Sequence, residues 1–348
     1  MGNVVYIEPS RRIGLQGRLA ALLQVFASHR KRRDDVFWLK ENAELLNICA
    51  NLGAPLDRID LDPYARFYAD LPQRLRFFPQ YYRFLLSICL DLEDLGIGGS
   101  HGPEICRHVA ALDLPGMEIS DLQRAEAVRL LARGGVKQCD AHLDNRLRTF
   151  IARSDTFALP NRKAAYELTH IVFYLSDYGR CDPLLDDRAI TALEFAGLLA
   201  FLDQNSDLLA EVCIALRYVG QAPSAIWEGW LAQGLNGFAV SRCGSGIADD
   251  DYHDYLVTGW WAQLAGRSGF RCAGRAGQNS FVRLDRKPGP LRRMSEVMYQ
   301  LGAERRRDWH VMRPTIADAL SQECYDILAG AERSSDRFGE FFEGFARA

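Results

Sequence analysis

The stretch DLLAEVCIALRYVG, residues 207–220, is an apolar run with helical spacing that ends at a glycine. A glycine in that position caps a helix, because it adopts the left-handed backbone conformation at little cost. The arrangement recurs about every forty residues, a period that fits a repeated two-helix hairpin. The other glycines of the series are Gly53, Gly96, Gly135, Gly179, Gly266 and Gly302.

Each of the first six capped runs follows a second helical segment across a short loop, and start signals support this division. Asn161 and Asn205 precede the fourth and fifth capped helices, where a side-chain acceptor satisfies free backbone N–H groups. The predicted pairs are Leu15–Phe26 with Leu39–Leu52, Pro63–Leu71 with Gln80–Leu95, Glu104–Leu112 with Ser120–Arg133, Cys139–Ile151 with Lys163–Tyr178, Arg188–Leu202 with Asp207–Val219, and Ser224–Gln233 with Asp250–Ala265.

The two classes of helix differ in polarity. Capped helices such as HIVFYLSDY (170–178) are apolar most of the way round, whereas partners such as residues 139–154 are two-faced. This favours an all-α fold, an α/α toroid of about six to seven helical hairpins. We expect one domain over 1–348, with irregular insertions at 236–248 and 267–289. These form loops or a small β-hairpin, and 314–348 supplies closing helices.

Composition limits the classes of function. The chain has 348 residues and a net charge of −3, which argues against general attraction to nucleic acid or membranes. Nine scattered cysteines without a C-x-x-C pair indicate a reducing cytoplasm. No secretory signal or membrane-spanning stretch is expected. The basic run 30–33 is a solvated helix end or a contact for an anionic partner.

Residues 207–220 and the segment AYELTHIVFYLSDYG (165–179) resemble the helical repeat of the terpenoid-cyclase and protein-prenyltransferase superfamily. The resemblance covers about a third of the chain and implies the toroid fold. The cyclases' D-x-D-D motif does not match the nearest segment, Ala248–Asp251. The zinc ligands of the prenyltransferases and of the lanthionine cyclases also find no match. The activity is therefore left open.

Polar residues form stripes on the apolar capped helices. Tyr166, His170, Tyr174 and Asp177 share one helix face, and Asp207, Glu211 and Tyr218 share another. Counted back from their glycines, His170 and Glu211 lie at one level, and His253 lies one turn lower. We expect these last three side chains to converge. A divalent metal site (Zn or Fe), a metal-free acid–base site and a structural polar contact remain open.

Aromatic doublets on the capped helices, such as Trp260-Trp261, suit a lined cavity or core packing. In the insertion at 267–289, Arg271 is expected either to bind an anion or to be a surface charge.

We predict an enzyme of lyase, cyclase or hydrolase type that tailors a small molecule or peptide; a non-catalytic helical-repeat binding or scaffold protein is the alternative. Homodimerisation is open, and no nucleotide cofactor, nucleic acid or membrane is expected. Catalytic candidates are His170, Glu211, Asp177, Tyr174 and His253; substrate-binding candidates are Tyr166, Asp207, Tyr218, Trp260, Trp261 and Arg271.

Overall fold

The computed structural model describes residues 14–52, 59–138, 140–242, 250–271 and 279–347. Helices dominate this part of the chain, which confirms the all-α class. The helices are α1 (Leu15–Val25), α2 (Val36–Asn51), α3 (Asp62–Phe77), α4 (Tyr82–Asp94), α5 (Gly102–Ala111), α6 (Asp121–Arg133), α7 (Leu143–Ile151), α8 (Ser154–Phe157), α9 (Arg162–Leu175), α10 (Asp187–Leu202), α11 (Ser206–Tyr218), α12 (Ala225–Gly234), α13 (Tyr252–Leu264), α14 (Leu291–Leu301), α15 (Trp309–Asp318), α16 (Gln322–Ser334) and α17 (Phe338–Ala346). The strands are β1 (Phe238–Arg242) and β2 (Asn279–Arg283), and a π-helical turn, Phe26–Arg30, continues α1.

The glycines of the series adopt positive φ wherever they are described. At Gly220 φ is 74°, its N–H donates to the carbonyl of Arg217, and the N–H of Gln221 donates to that of Leu216. These bonds satisfy carbonyls that the end of α11 leaves free. Gly53 lies outside the described residues. The other glycines of the series with positive φ are Gly96, Gly135, Gly179, Gly266 and Gly302.

The end of α9 differs from the prediction, because the helix stops at Leu175 and not at Tyr178. Asp177, with φ of 44°, takes the capping position, and its N–H donates to Tyr174. Gly179 keeps a separate role. A Cβ there would lie 2.5 Å from the ring of Tyr218, so close packing requires glycine. Asp177 therefore does not continue the polar stripe of α9.

The helices that precede the glycines contact one another in sequence. Helix α2 packs against α4, α4 against α6, α6 against α9, α9 against α11, α11 against α13, and α13 against α2. The partners α1, α3, α5, α7, α8 and α10 each contact the capped helix that follows them. Helix α12 meets α13 where the indole N–H of Trp261 donates to Glu228, at 3.0 Å.

Helix α10 departs from the expectation of a two-faced partner, since most of its side chains are buried. Its inner side packs on α11 and α8, and the C-terminal helices α16 and α17 cover its outer side. Phe341 of α17 meets Phe195 of α10, with ring centroids 5.8 Å apart. Closing helices after residue 314 were expected; they begin earlier, at Trp309, and Pro314 lies within α15.

The two strands pair in antiparallel register, Phe238 with Arg283 and Val240 with Phe281. One strand comes from each predicted insertion, and α13 lies between them in the chain. The small β-structure expected near 236–289 is therefore present as two antiparallel strands, with α13 in the connection between them. Residues 243–249 and 272–278 lie outside the described part of the chain. Among the described residues, no helix combines the length and apolarity needed to cross a bilayer.

Candidate functional site

Side chains from all six capped helices line a cavity of about 210 Å³, which we call the central cavity. One register position recurs around it. The residue nine positions before each of the first six glycines lines the cavity in every case, although only two of these residues were predicted to share a level. The six are Glu44, Ser87, Glu126, His170, Glu211 and Val257.

Glu211 is the most buried carboxyl of the cavity wall, with 2% of its side chain exposed. Its Oε2 accepts a hydrogen bond from the Thr169 hydroxyl at 2.5 Å and lies 3.5 Å from Nδ1 of His170. Burial raises the pKa of Glu211; the nearby imidazoles of His170 and His253 and the Thr169 hydrogen bond oppose the rise, and the charge of Asp207 adds to it. The carboxyl group is thereby suited to hold a proton that an exposed glutamate would lose.

His170 is fixed in one orientation by its own helix. Its Nδ1 lies 2.8 Å from the carbonyl oxygen of Tyr166, one turn earlier on α9. A carbonyl only accepts hydrogen bonds, so Nδ1 carries a proton. In the neutral ring the lone pair is then on Nε2. The side chain is one third exposed. The start of α9 sets the position of His170 along the helix. The Asn161 side chain accepts a hydrogen bond from the N–H of Ala164 and caps α9 at its predicted start.

His253 and Asp207 form a second pair. Nδ1 of His253 lies 2.8 and 2.9 Å from the two carboxylate oxygens of Asp207, and the Tyr166 hydroxyl donates to the same carboxylate at 3.1 Å. Burial lowers the pKa of His253, but Asp207 outweighs it and raises the pKa to about 10. His253 is therefore an imidazolium at neutral pH. Asp207 lies in the first turn of α11, where the helix dipole favours a negative charge.

The pairs meet at the N-terminal half of α11. Donor atoms of Asp207, Glu211 and His253 all lie within 4.8 Å of one another. With His170 beside Glu211, the convergence expected for His170, Glu211 and His253 is present. The predicted metal ligands were His170, Glu211 and His253. The group whose donor atoms lie close together contains Asp207 instead of His170. Asp207 was expected to bind substrate; in this structure it orients His253.

Aromatic rings line the central cavity about one to two turns further along α9 and α13 than the two histidines. Tyr178 and Trp260 stack with centroids 6.0 Å apart, and Phe173 lies 5.4 Å from Trp260. Tyr174 also lines the cavity, and burial raises the pKa of its hydroxyl. Tyr218 packs against Phe173, with centroids 5.9 Å apart. The central cavity thus joins a polar region on α9, α11 and α13 to an aromatic floor.

Three predicted site residues are engaged elsewhere. Asp177 accepts from Nε of Arg129 at 2.7 Å and ties α6 to the end of α9. Trp261 points to Glu228 on α12, because adjacent helix residues diverge by about 100°. Arg271 donates to the side chain of Asn236 at 2.6 Å. None of these three side chains is among the described residues that line the central cavity.

Glu44, Glu126 and Arg129 line the central cavity and were missed from the sequence. The count of nine residues from Gly53 and Gly135 would have found the two glutamates. Nothing in the sequence pattern indicates Arg129, whose guanidinium lies 4.4 Å from the Tyr178 ring. Only the fold brings the Arg129 side chain of α6 next to the Tyr178 ring, which follows α9.

A larger cleft of about 1280 Å³ opens beside the N-termini of α11 and α13. His253 lines both this cleft and the central cavity. At the cleft, buried Arg283 of β2 bonds to Asp254 at 3.2 Å, and burial raises the pKa of Asp254 to about 6. The cleft gives solvent and solutes a route to His253.

The family model described as a domain of unknown function, DUF6902, matches residues 1–348. The chain belongs to the DUF6902 family. No curated protein matches the chain, and no solved structure matches it either. That description assigns no activity to the DUF6902 family.

Proposed function

We propose that the six capped helices form the inner ring of an α/α toroid. Two observations support the ring. The helices contact one another in order and α13 contacts α2, so the series returns to its start. The residues nine positions before the glycines also face one cavity, as parallel helices at one height around an axis would require. The predicted terpenoid-cyclase-like architecture agrees with this arrangement.

We infer that the protein is an enzyme that performs acid–base chemistry on a small molecule in the central cavity. The observation that carries the proposal is the environment of Glu211, a buried carboxyl with a raised pKa between two histidines. Raised carboxyl pKa values occur where an acid must hold its proton near neutral pH.

The three groups have complementary roles. His170 accepts a substrate proton on Nε2, while Glu211 donates its proton to a leaving group or to a developing oxyanion. The imidazolium of His253, held by Asp207, stabilises negative charge that develops between them. One base and one acid suffice for an elimination or a cyclisation, in which one proton is taken up and one delivered. Hydrolysis would require a water molecule in addition.

The size and lining of the cavity limit the substrate. A volume of about 210 Å³ is below the 300–1,000 Å³ of most ligand pockets, so the reacting portion of the molecule is small. Trp260 and Tyr178 offer flat faces to an apolar or cationic group. A longer substrate, such as a peptide segment, would continue past His253 into the cleft. The cytoplasmic location and homodimer stay predictions.

A metal-assisted version has one observation in its favour, the close approach of donor atoms from Asp207, Glu211 and His253. An ion bound to Nδ1 of His253 would displace the hydrogen bond between Nδ1 and Asp207. An ion bound to Nε2 would leave that hydrogen bond in place, and Asp207 would then orient the imidazole. Elemental analysis of purified protein separates the versions: Zn or Fe in stoichiometric amount favours the metal, and its absence after purification without chelator favours acid–base chemistry.

The test of catalysis uses purified full-length protein incubated with a metabolite extract and followed by untargeted mass spectrometry. Glu211→Gln keeps the shape of the side chain and its bond to Thr169 but cannot deliver a proton. The matched control is Glu167→Gln, the same change at a half-buried site outside the cavity wall. A conversion that wild type and the control perform, and that Glu211→Gln performs about 100-fold more slowly, is expected.

Two results contradict the proposal. An equal rate for Glu211→Gln and wild type removes Glu211 from the chemistry. Protein that retains a compound from the extract without converting it, in wild type and variant alike, supports the alternative of a non-catalytic binding protein.

A further inference from the structure

A third concave site lies at the π-helical turn, where this turn meets α3. A pocket of about 880 Å³ is formed by residues 27–34 together with Arg66, Phe67, Asp70 and Arg74 of α3. It shares no lining residue with the central cavity or the cleft. We call it the arginine pocket, because arginine side chains line it from both segments.

The arginine pocket carries more positive than negative charge. The buried guanidinium of Arg30 is already neutralised by Glu41, at 2.8 Å. The remaining lining includes five cationic side chains and two carboxylates. The chain as a whole has a net charge of −3, so this excess is local. The cations are Lys31, Arg32, Arg33, Arg66 and Arg74, and the carboxylates are Asp34 and Asp70.

Three of the guanidinium groups have no carboxylate partner within the described residues. Among the described residues, the guanidinium of Arg33 donates only to the carbonyl oxygen of Pro63, at 3.0 Å. Arg66 forms no hydrogen bond or ion pair with a described residue. Arg74 lies against the Phe67 ring, 4.9 Å from its centroid, which fixes its orientation. In contrast, Arg32 is paired with Asp34 at 3.0 Å.

Arg74 provides the most specific sign of an absent acceptor. Its Nε is buried and bonds to no acceptor among the described residues. A buried N–H without an acceptor costs about 1–3 kcal/mol, a cost that a bound anion would remove. The Phe67 ring holds the guanidinium in place before binding, so little conformational freedom is lost when an anion arrives.

We propose that the arginine pocket binds a phosphate-bearing small molecule. Guanidinium forks match phosphate oxygens with paired hydrogen bonds, and a dianion suits an excess of positive charge better than a single carboxylate does. The volume lies within the range of about 300–1,000 Å³ found for ligand pockets, which leaves room for the rest of the molecule. This site is independent of the acid–base proposal.

The experiment is isothermal titration of the full chain with inorganic phosphate, at constant ionic strength set with chloride. Wild-type protein is expected to show saturable binding that sulfate competes away. Arg66→Gln and Arg74→Gln should each weaken binding about tenfold, and the double variant should abolish it. Arg107→Gln is the control, because Arg107 is an exposed arginine on α5 outside this pocket. Arg66 is exposed and forms no hydrogen bond or ion pair with a described residue, so its variant tests the pocket with little effect on folding.

Several outcomes overturn the proposal. One is the lack of saturable phosphate binding to wild type. Another is an equal loss of affinity in Arg107→Gln and Arg66→Gln, which would indicate general charge screening. A third comes from vesicles of phosphatidylcholine with phosphatidylglycerol and from single-stranded DNA. If either retains the protein through Arg66 while free phosphate does not bind, the partner is a membrane surface or a nucleic acid.

Discussion

Glu211 and Glu126 occupy the same register position on two helices of the cavity wall, α11 and α6, which α9 separates, yet their surroundings differ. Glu126 receives Nη1 of Arg83 at 2.5 Å, a full ion pair, and Arg83 also bonds to Glu118 at 2.9 Å. Glu211 receives a hydroxyl and lies near imidazoles, and burial raises its pKa. The difference teaches that the position of a residue relative to the glycine after its helix decides whether its side chain faces the cavity. The partners of a carboxyl decide whether it is a fixed charge or exchanges a proton.

The largest effect is expected on the Glu126 side. Arg83→Met leaves Glu126 and Glu118 partly buried without their shared cation, so the free energy of unfolding should fall by about 3 kcal/mol. Urea denaturation at pH 7 measures this. Arg162→Met is the control, since its pair with Asp203 is exposed and should cost about 0.5 kcal/mol. Equal losses in both variants would remove the contrast between the two carboxyls.

The His253 side should respond to pH. The folded pKa of about 10 lies above the ordinary value of 6.5, so protonation of His253 contributes stability that is full below pH 6.5 and is lost as pH rises through 10. We expect a fall on the order of 2 kcal/mol between pH 7 and 10, with allowance for partial exposure. Urea unfolding across this range checks it. His253→Gln, which cannot titrate, should show a shallower fall; parallel curves would refute the ion pair with Asp207.

The smallest effect on the free energy of unfolding is expected from loss of the Thr169 hydroxyl, which donates to Glu211. Thr169→Val removes one hydrogen bond to a carboxyl that can hold a proton, so a loss of about 1 kcal/mol is expected. Thr149→Val, at an exposed hydroxyl bonded to the Asn145 carbonyl, is the control and should change stability by less than about 0.5 kcal/mol. A loss for Thr169→Val as large as that for Arg83→Met would mean that Glu211 is ionised like Glu126.

The sequence predicted features that depend on neighbours along the chain. Asn205 and Gly220 bound α11, and they put Asp207 and Glu211 one turn apart on the same face. The count from the glycines also found the level shared by His170 and Glu211. These features follow from backbone hydrogen bonding and helix periodicity, both of which are local.

Long-range partners were beyond the sequence pattern. Arg129 draws Asp177 out of the helical stripe, and Arg83 neutralises Glu126 from 43 residues away. The sequence pattern assigned Asp207 to substrate binding. Its pairing with His253 could not be predicted, because it depends on the relative heights of α11 and α13. Trp261 could be separated from Trp260 only once the direction of the cavity was known.

The pairing of β1 with β2 has a consequence for the position of His253. Backbone groups of β2 bond to the residues just before α13: Phe281 donates to the Asp250 carboxylate at 3.1 Å, and Arg283 donates to that of Asp251 at 2.8 Å. The height of His253 is therefore set by the sheet. A substitution that breaks the pairing of β1 with β2 should therefore shift the imidazole of His253 relative to Glu211, although no described residue of either strand lines the central cavity.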